Sequence, residues 1–213
     1  MAINITPSKE AILKKIRQAL SHSTPLPFPQ SEGAGSVFQP SKQELEVEFA
    51  EQFTRLQGKF VYCLSVAELG MQLNKIVSHA GWKNIFCQDE QWKKIIGENG
   101  FGQTYYTELS SCDAAITGCE ALVARTGSIV LTAADESGRT TSVYAPIHIC
   151  IAYSHQLVFD IKDALLQLKE KYKVTMPSLI TFASGPSRTA DIEKTLVTGV
   201  HGPKEVYCFL VEG

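Results

Sequence analysis

The segment from Ser184 to Pro203, SGPSRTADIEKTLVTGVHGP, brings together residue types that bind small anions. Its first half supplies a glycine, two hydroxyl groups, a guanidinium and a carboxylate in close succession: Gly185, Ser187, Arg188, Thr189 and Asp191. If a helix starts here, its first backbone N–H groups attract an anion, and Arg188 adds a bidentate partner for a carboxylate or phosphate. Asp191 can instead satisfy those N–H groups and pair with Arg188, so a capped helix without a ligand is an open alternative.

The second half of this segment places an imidazole in a predicted turn. His201 stands between Gly199 and the dipeptide Gly202–Pro203, a composition that exposes a titratable ring to solvent. Such a ring can exchange protons with a bound substrate, although a surface histidine in a turn explains the same residues. His148, within an apolar run, is expected to be a core histidine.

A third stretch, CEALVARTGS, holds another set of hydroxyl and charged groups. Thr126, Gly127 and Ser128 come directly before an apolar run, where they would aim hydroxyl and backbone N–H groups at a ligand. Glu120 or Arg125 would add charge to such a site. The alternative is a turn that needs glycine, flanked by solvated charges.

The elements that would position these residues alternate between strands and helices. Predicted strands at 60–64 and 85–87 are each followed by a helical apolar pattern, at 66–77 and 91–96. This alternation is typical of an α/β layer structure with a mixed, mainly parallel sheet.

The second half of the chain predicts a hairpin and a final crossover. A turn-forming sequence at 135–138 lies between the strand candidates at 129–131 and Val143, so these two are expected to pair. Apolar runs at 178–183 and 206–211 flank the opening segment and would form one strand–helix–strand unit. Its ligand groups would lie at the carboxyl ends of the strands.

Residues 1–41 predict a helix on a linker, and residues 42–213 the main domain. Apolar residues recur at helical spacing between 8 and 20, whereas 21–41 is rich in proline and glycine. A helix on such a linker cannot bury its apolar face alone. We therefore expect it to dock within its own assembly, which includes a homo-oligomer among the options.

The composition excludes several classes of function. The 20 basic and 22 acidic residues give a net charge of −2 without long blocks of either sign, which disfavours nucleic acid and anionic membranes as partners. No apolar run reaches the roughly 18 residues of a spanning helix, and no secretory signal is evident, so a cytoplasmic protein is expected. The six cysteines show no CxxC spacing, so we expect no metal or iron–sulfur cluster on this chain.

Three stretches together resemble the lactate-utilisation protein C family, also called the LUD domain. They are RTGSIVL from Arg125, APIHICIA from Ala145, and the long segment from Ser184 to Pro203. The resemblance covers about residues 42–213. It implies a three-layer α/β/α sandwich similar to the NagB/RpiA/CoA-transferase group.

The resemblance also implies a function and a set of site residues. It implies a part in the oxidation of L-lactate to pyruvate, beside two iron–sulfur partners, lactate-utilisation proteins A and B, which would carry the clusters. Arg188 would hold a small anion, Asp191 would orient the site and His201 would transfer a proton. The other implied ligand-binding residues are Thr126, Gly127, Ser187 and Thr189.

One position departs from the pattern of the family. Related proteins commonly have glutamate where this chain has Arg125, which weakens the idea of a nucleophilic carboxylate there, as in CoA transferases. Glu120 is a catalytic candidate beside His201 and Asp191. A stand-alone enzyme acting on an acyl-CoA or sugar phosphate, and a regulatory ligand-binding module, are the alternatives to a lactate-oxidising component.

Overall fold

A computed structural model describes residues 7–21, 41, 43–189 and 197–213. The chain divides into two compact units, Met1–Pro40 and Ser41–Gly213. In the first unit the described element is one helix, α1, Pro7–Leu20. Within the described residues no helix is both long and apolar enough to span a membrane.

The second unit alternates helices and strands along most of its length. Its described helices are α2 (Leu45–Arg55), α3 (Val66–Ala80), α4 (Glu90–Glu98), α5 (Thr141–Tyr144) and α6 (Ile161–Lys171). Its described strands are β1 (Lys59–Cys63), β2 (Ile85–Cys87), β3 (Tyr105–Tyr106), β4 (Ala114–Thr117), β5 (Ala121–Val123), β6 (Ser128–Thr132), β7 (Ile147–Tyr153), β8 (Leu157–Val158), β9 (Ile180–Ala183), β10 (Arg188–Thr189), β11 (Val197–Thr198) and β12 (Glu205–Val211). Short 3₁₀ turns occupy Leu109–Ser111, Ala124–Thr126 and Ser154–Gln156.

A parallel sheet of six strands forms the centre of this unit. Its order is β1-β12-β7-β4-β2-β3, and every neighbouring pair is parallel. In β7 and β12, Cys150 faces Cys208 and Ile151 faces Phe209, and these residues are fully buried. A strand buried on both faces carries a continuous apolar run, which explains the sequence pattern of β7 and β12. The predicted α/β class with a mainly parallel sheet is confirmed.

Helices α3 and α4 cover one face of this sheet. Leu69, Leu73 and Val77 recur at helical spacing along α3 and pack on the sheet residues of the same core. Half of the predicted capping box forms at the start of α3: Ser65 Oγ accepts from the backbone N–H of Glu68, whereas the Glu68 carboxylate accepts from Leu64 N–H, one residue before the N-cap. These contacts fix the side of the sheet that α3 covers.

Helix α2 and a second sheet cover the opposite face. Phe49 and Phe53 of α2 stack at 5.3 Å and are buried with residues of both sheets. The second sheet has the order β8-β5-β6-β9, in which β6 is antiparallel to both β5 and β9. Helix α6 packs on its outer face through Ala164 and Leu168. The antiparallel region expected from the sequence is therefore a separate sheet.

Two sequence predictions about pairing are wrong. Val143 lies in α5, which packs on the central sheet and begins where the Thr141 hydroxyl donates to the Ser137 carbonyl at 2.6 Å. The expected hairpin therefore does not form, and β6 pairs with β5 and β9 instead. Strands β9 and β12 do not form one crossover unit either, because β9 is an edge strand of the second sheet while β12 lies within the central sheet.

Candidate functional site

Three hydroxyl groups lie together where β6 begins and β9 ends. Two belong to predicted ligand-binding residues, Thr126 and Ser128, and the third to Ser184, which begins the predicted anion-binding segment. Ser128 Oγ lies 2.8 Å from Thr126 Oγ1 and 2.6 Å from Ser184 Oγ. Ile129 pairs with Ala183 in the antiparallel register of β6 and β9, so the residues just before and just after these partners are neighbours. Ser128 is 2% exposed whereas Ser184 is exposed, so this chain of hydroxyl groups runs from the interior to the surface.

The two glycines of this region allow α2 to approach closely. Gly127 has φ of +57°, and a Cβ atom there would lie 2.5 Å from the backbone nitrogen of Phe53. A Cβ atom at Gly185 would lie 2.5 Å from the carbonyl oxygen of Leu56, just after α2. Both predicted glycines therefore serve the packing of α2 against the second sheet.

The structure does not place Arg188 at the start of a helix. Arg188 and Thr189 form β10, which pairs antiparallel with Val197 and Thr198 of β11. The backbone at Arg188 therefore forms a strand ladder. The helix start predicted around Asp191 lies outside the described residues, so the anion site on its N–H groups stays a prediction. Arg188 is exposed and faces its strand partner Thr198, directly before Gly199.

His201 lies in a turn that is held to Ser187. The backbone N–H of Ser187 donates to the carbonyl of Pro203 at 2.9 Å, and that of Gly199 donates to the carbonyl of Ser187 at 3.0 Å. The turn precedes β12, so His201 lies at the amino end of the central sheet.

A surface pocket of about 390 Å³ opens beside His201. It is lined by Val143, Tyr144, Gly199, Val200, His201 and Gly202. Two exposed cations lie near this pocket: the stem of Lys204 approaches Gly199, and Arg188 pairs with Thr198, the residue before Gly199. Of the predicted site residues that the structure describes, His201 lines this pocket. Ser187 lies behind Gly202, whose Cβ position would be 3.0 Å from the Cβ of Ser187.

Glu120 is not part of this region. It precedes β5 and lies beside Thr132, at the far end of β6 from Ser128, four residues or about 13 Å away along the strand. Its side chain is 6% exposed and accepts hydrogen bonds from Thr132, Lys171 and Tyr172 at 2.6–2.9 Å. Burial opposes ionisation of Glu120, but these three donors outweigh it and lower the pKa of Glu120. Its carboxylate thus ties the end of α6 to the second sheet.

Arg125 forms an ion pair at the start of α6. Its Nε donates to Asp160 Oδ2 at 2.7 Å, and the hydrogen bond from Arg125 lowers the pKa of Asp160. Asp160 is also the N-cap of α6, accepting from the backbone N–H of Lys162. Arg125 therefore stabilises a helix start.

Replacing Arg125 by glutamate is expected to lower the stability of the domain by about 1 kcal/mol, because a carboxylate then faces Asp160 across a partly exposed contact. Thermal unfolding at neutral pH measures the change. In the Arg125→Glu background, Asp160→Asn should recover part of the loss, since it removes the facing charge. If Arg125→Glu lowered the stability equally in the wild type and in an Asp160→Asn background, this account would be contradicted.

A second cleft lies at the carboxyl ends of the central strands. It has a volume of about 390 Å³ and is lined by Asp89, Gln91, Trp92, Gly118, Cys119, Asp135, Tyr153, His155 and Gln156. Burial and the neighbouring charges of Asp135 and Glu136 raise the pKa of Asp89. Clustered carboxylates repel an anion, so this cleft is unsuited to lactate. The residue pattern at 135–138 predicts only a turn, so the sequence gives little indication of this cleft. The one available signal is the N-cap pattern of Asp89 before α4.

His148 confirms the core position expected from the sequence. It is fully buried, and its Nε2 lies 2.8 Å from Thr117 Oγ1, which itself donates to the Gly118 carbonyl. The direction of the hydrogen bond between Thr117 and His148 follows the tautomer of the ring. Burial lowers the pKa of His148 to about 4, so the ring is neutral near pH 7.

The thiol groups are dispersed through the buried parts of the fold. All six cysteines are free, and five of them are buried. Among the residues that the structure describes, no group of three or more His, Cys, Asp or Glu side chains is arranged to hold a metal ion.

Comparison with known sequences gives matches over most of the chain. A family model described as the LUD domain matches residues 5–211. Lactate utilization protein C of Anoxybacillus flavithermus is 29% identical over 223 aligned positions, which cover 95% of this chain and 99% of that protein. Lactate utilization protein C of Deinococcus radiodurans is 34% identical, over 50% of each chain. An uncharacterized protein of Neisseria meningitidis is also 34% identical, over 48% of this chain.

The matched part of the chain spans about half of the latter two relatives, 50% of the Deinococcus protein and 44% of the Neisseria protein. Among solved structures, the crystal structure of a DUF162 family protein from Deinococcus radiodurans superposes with a TM-score of 0.59. It is 20% identical and the match covers 81% of this chain and 99% of that chain. At this identity the likeness establishes the fold.

Proposed function

The chain belongs to the LUD domain family, and on this premise we propose that it is a component of an iron–sulfur system that oxidises L-lactate to pyruvate. The observation that carries the proposal is the alignment along nearly the whole chain with a relative named lactate utilization protein C. On this proposal the protein works in the cytoplasm beside lactate-utilisation proteins A and B, which carry the clusters. Its own part is to bind a small anion or a partner subunit.

The pocket beside His201 is the better of the two clefts for a small carboxylate. Arg188 and Lys204 are exposed near it, whereas the cleft at the carboxyl ends of the strands contains Asp89 and Asp135. Because like charges repel across a short distance, L-lactate or pyruvate would favour the basic pocket. There His201 would exchange a proton and Arg188 would hold the carboxylate.

Gene deletion and co-purification test the role in lactate oxidation. We expect a deletion strain to lose growth on L-lactate and to regain it when the intact chain is supplied from a plasmid. Tagged protein from its native host should retain iron–sulfur partners. Normal growth of the deletion strain on L-lactate, together with a tagged protein that retains no iron–sulfur protein, would overturn the proposal.

Replacing Arg188 by alanine tests the anion site. We expect pyruvate or L-lactate to bind about two- to fivefold more weakly by calorimetry, because an exposed charge contributes little more than about 1 kcal/mol. The melting temperature should stay nearly unchanged, since Arg188 is exposed and buries little surface. Lys173→Ala, an exposed cation after α6, is the matched control. A large fall in melting temperature would instead favour the structural pair with Asp191 that the sequence leaves open.

The alternative of a stand-alone enzyme with Glu120 as its catalytic carboxylate gains no support from the geometry. The Glu120 side chain is buried and accepts three hydrogen bonds, so neither oxygen is available to attack a substrate. A regulatory module would bind the same anions without turnover, which an assay with purified protein and an electron acceptor distinguishes.

A further inference from the structure

An acidic groove with an apolar floor lies between α2 and the edge strand β1. Its volume is about 750 Å³, and it lies in the second unit of the chain. Two apolar side chains that line it, Val47 and Tyr62, are 46% and 41% exposed. Among the described strands, β1 pairs with β12 alone and is an edge strand, and its residues Phe60 and Tyr62 line the groove.

Carboxylates surround the apolar floor. Glu44, Glu46, Glu51 and Glu212 all line the groove. Their closeness to Tyr62 is evident in its pKa, which partial burial and the charges of Glu212, Glu46 and Glu44 raise. None of these four carboxylates forms an ion pair with a described cation, and Glu51 accepts one hydrogen bond, from Gln43. The groove therefore offers an apolar surface edged by uncompensated negative charge.

Helix α1 has the complementary chemistry. Its sequence, PSKEAILKKIRQAL, contains four basic residues and a single acidic one. Ile12, Leu13 and Ile16 recur at helical spacing on one face, and no other described element of its own unit is present to cover them. A short amphipathic helix is marginal in water unless its apolar face is packed against a partner.

We propose that this groove is a homodimer interface, in which the acidic groove of one copy binds the basic amphipathic helix α1 of a second copy. Each copy supplies one groove and one helix, so reciprocal exchange closes into a two-fold symmetric dimer with both grooves filled. The apolar residues of α1 cover Val47 and Tyr62, and its cations face the four carboxylates. This interface is independent of the role in lactate oxidation.

A charge-swap experiment on the full chain tests the exchange. Sedimentation velocity between about 1 and about 100 µM protein should give a dimer for the wild type, weakened as salt rises from about 50 to about 500 mM. Reversing groove charges with Glu46→Lys and Glu51→Lys should weaken dimerisation at least about tenfold, and so should Lys14→Glu with Arg17→Glu in α1. Glu98→Lys with Glu170→Lys, exposed on other helices, is the control and should dimerise like the wild type.

Mixing the two charge-reversed variants gives the decisive result. Each variant then offers the other a helix and a groove of opposite charge, so the mixture should form a heterodimer although neither variant dimerises alone. Far-UV circular dichroism and melting temperature establish that both variants remain folded before mixing. A wild type that stays monomeric up to about 100 µM, a dimer that survives both reversals, or a mixture that stays monomeric would each overturn the proposal.

Discussion

Replacing Gly127 by alanine is expected to destabilise the domain by about 2–4 kcal/mol. Two effects add at this position. Gly127 has φ of +57°, a conformation that costs an L-residue with a Cβ atom about 1 kcal/mol or more. The new Cβ atom would also lie 2.5 Å from Phe53 N and 2.7 Å from Gln52 C, backbone atoms of α2 that cannot rotate away. Helix α2 would have to move, which would disturb the packing of Phe49 and Phe53 between the two sheets.

Gly138→Ala is the matched control for this prediction. Gly138 has φ of +64°, but a Cβ atom there would meet nothing within 4 Å, so this substitution carries the backbone effect without the clash. Urea unfolding should therefore give a loss of about 1 kcal/mol for Gly138→Ala and a clearly larger one for Gly127→Ala. Equal losses for both substitutions would mean that α2 does not depend on close approach at Gly127.

Local elements could be predicted from the sequence, because each depends on residues a few positions apart. The start of α3 at Ser65 and the apolar stripe of α2 are examples, and both occur as predicted. Strand partners could not be predicted in this way. Strands β9 and β12 have similar apolar runs, yet β9 pairs with β6 and β12 pairs with β7, which only the packing of the whole unit decides.

The sequence could identify candidate site residues, but it could predict only in part how they lie relative to one another. The sequence placed Thr126 and Ser128 near the segment that begins at Ser184, and these hydroxyl groups do meet. His201 lies in a turn before β12, where the sequence puts it, but the strands on either side of the segment, β9 and β12, belong to different sheets. The acidic cleft depends on Asp89 and Asp135, which are brought together only by the fold.

The hydrogen bonds of Glu120 indicate a structural role for a carboxylate that the sequence predicted to be catalytic. A catalytic carboxylate must be free to reach its substrate, whereas Glu120 connects three donors from β6 and the end of α6. Without Glu120, the partly buried hydroxyl groups of Thr132 and Tyr172 lose their acceptor, whereas the exposed Lys171 can donate to water. Loss of the Glu120 carboxylate should therefore affect folding before it affects any reaction.

Replacing Glu120 by alanine is accordingly expected to destabilise the domain by about 2–4 kcal/mol at neutral pH, because hydrogen bonds to a charged group are each stronger than neutral ones. Glu120→Gln, which retains the shape and an acceptor oxygen, should lose less, about 1–2 kcal/mol. Glu170→Ala on the exposed face of α6 is the control and should change stability by less than about 0.5 kcal/mol.

The dependence on pH separates this structural role from a catalytic one. The pKa of Glu120 is lower in the folded protein than in the unfolded chain, so its stabilisation is fully present above its ordinary pKa of about 4.3. The stabilisation is lost as the pH falls through the lowered pKa of the folded state. The difference in urea midpoint between the wild type and Glu120→Ala should therefore be constant from about pH 7 to about pH 5 and shrink in stronger acid. A Glu120→Gln variant with the stability of the wild type but no function on L-lactate would instead assign Glu120 to the reaction.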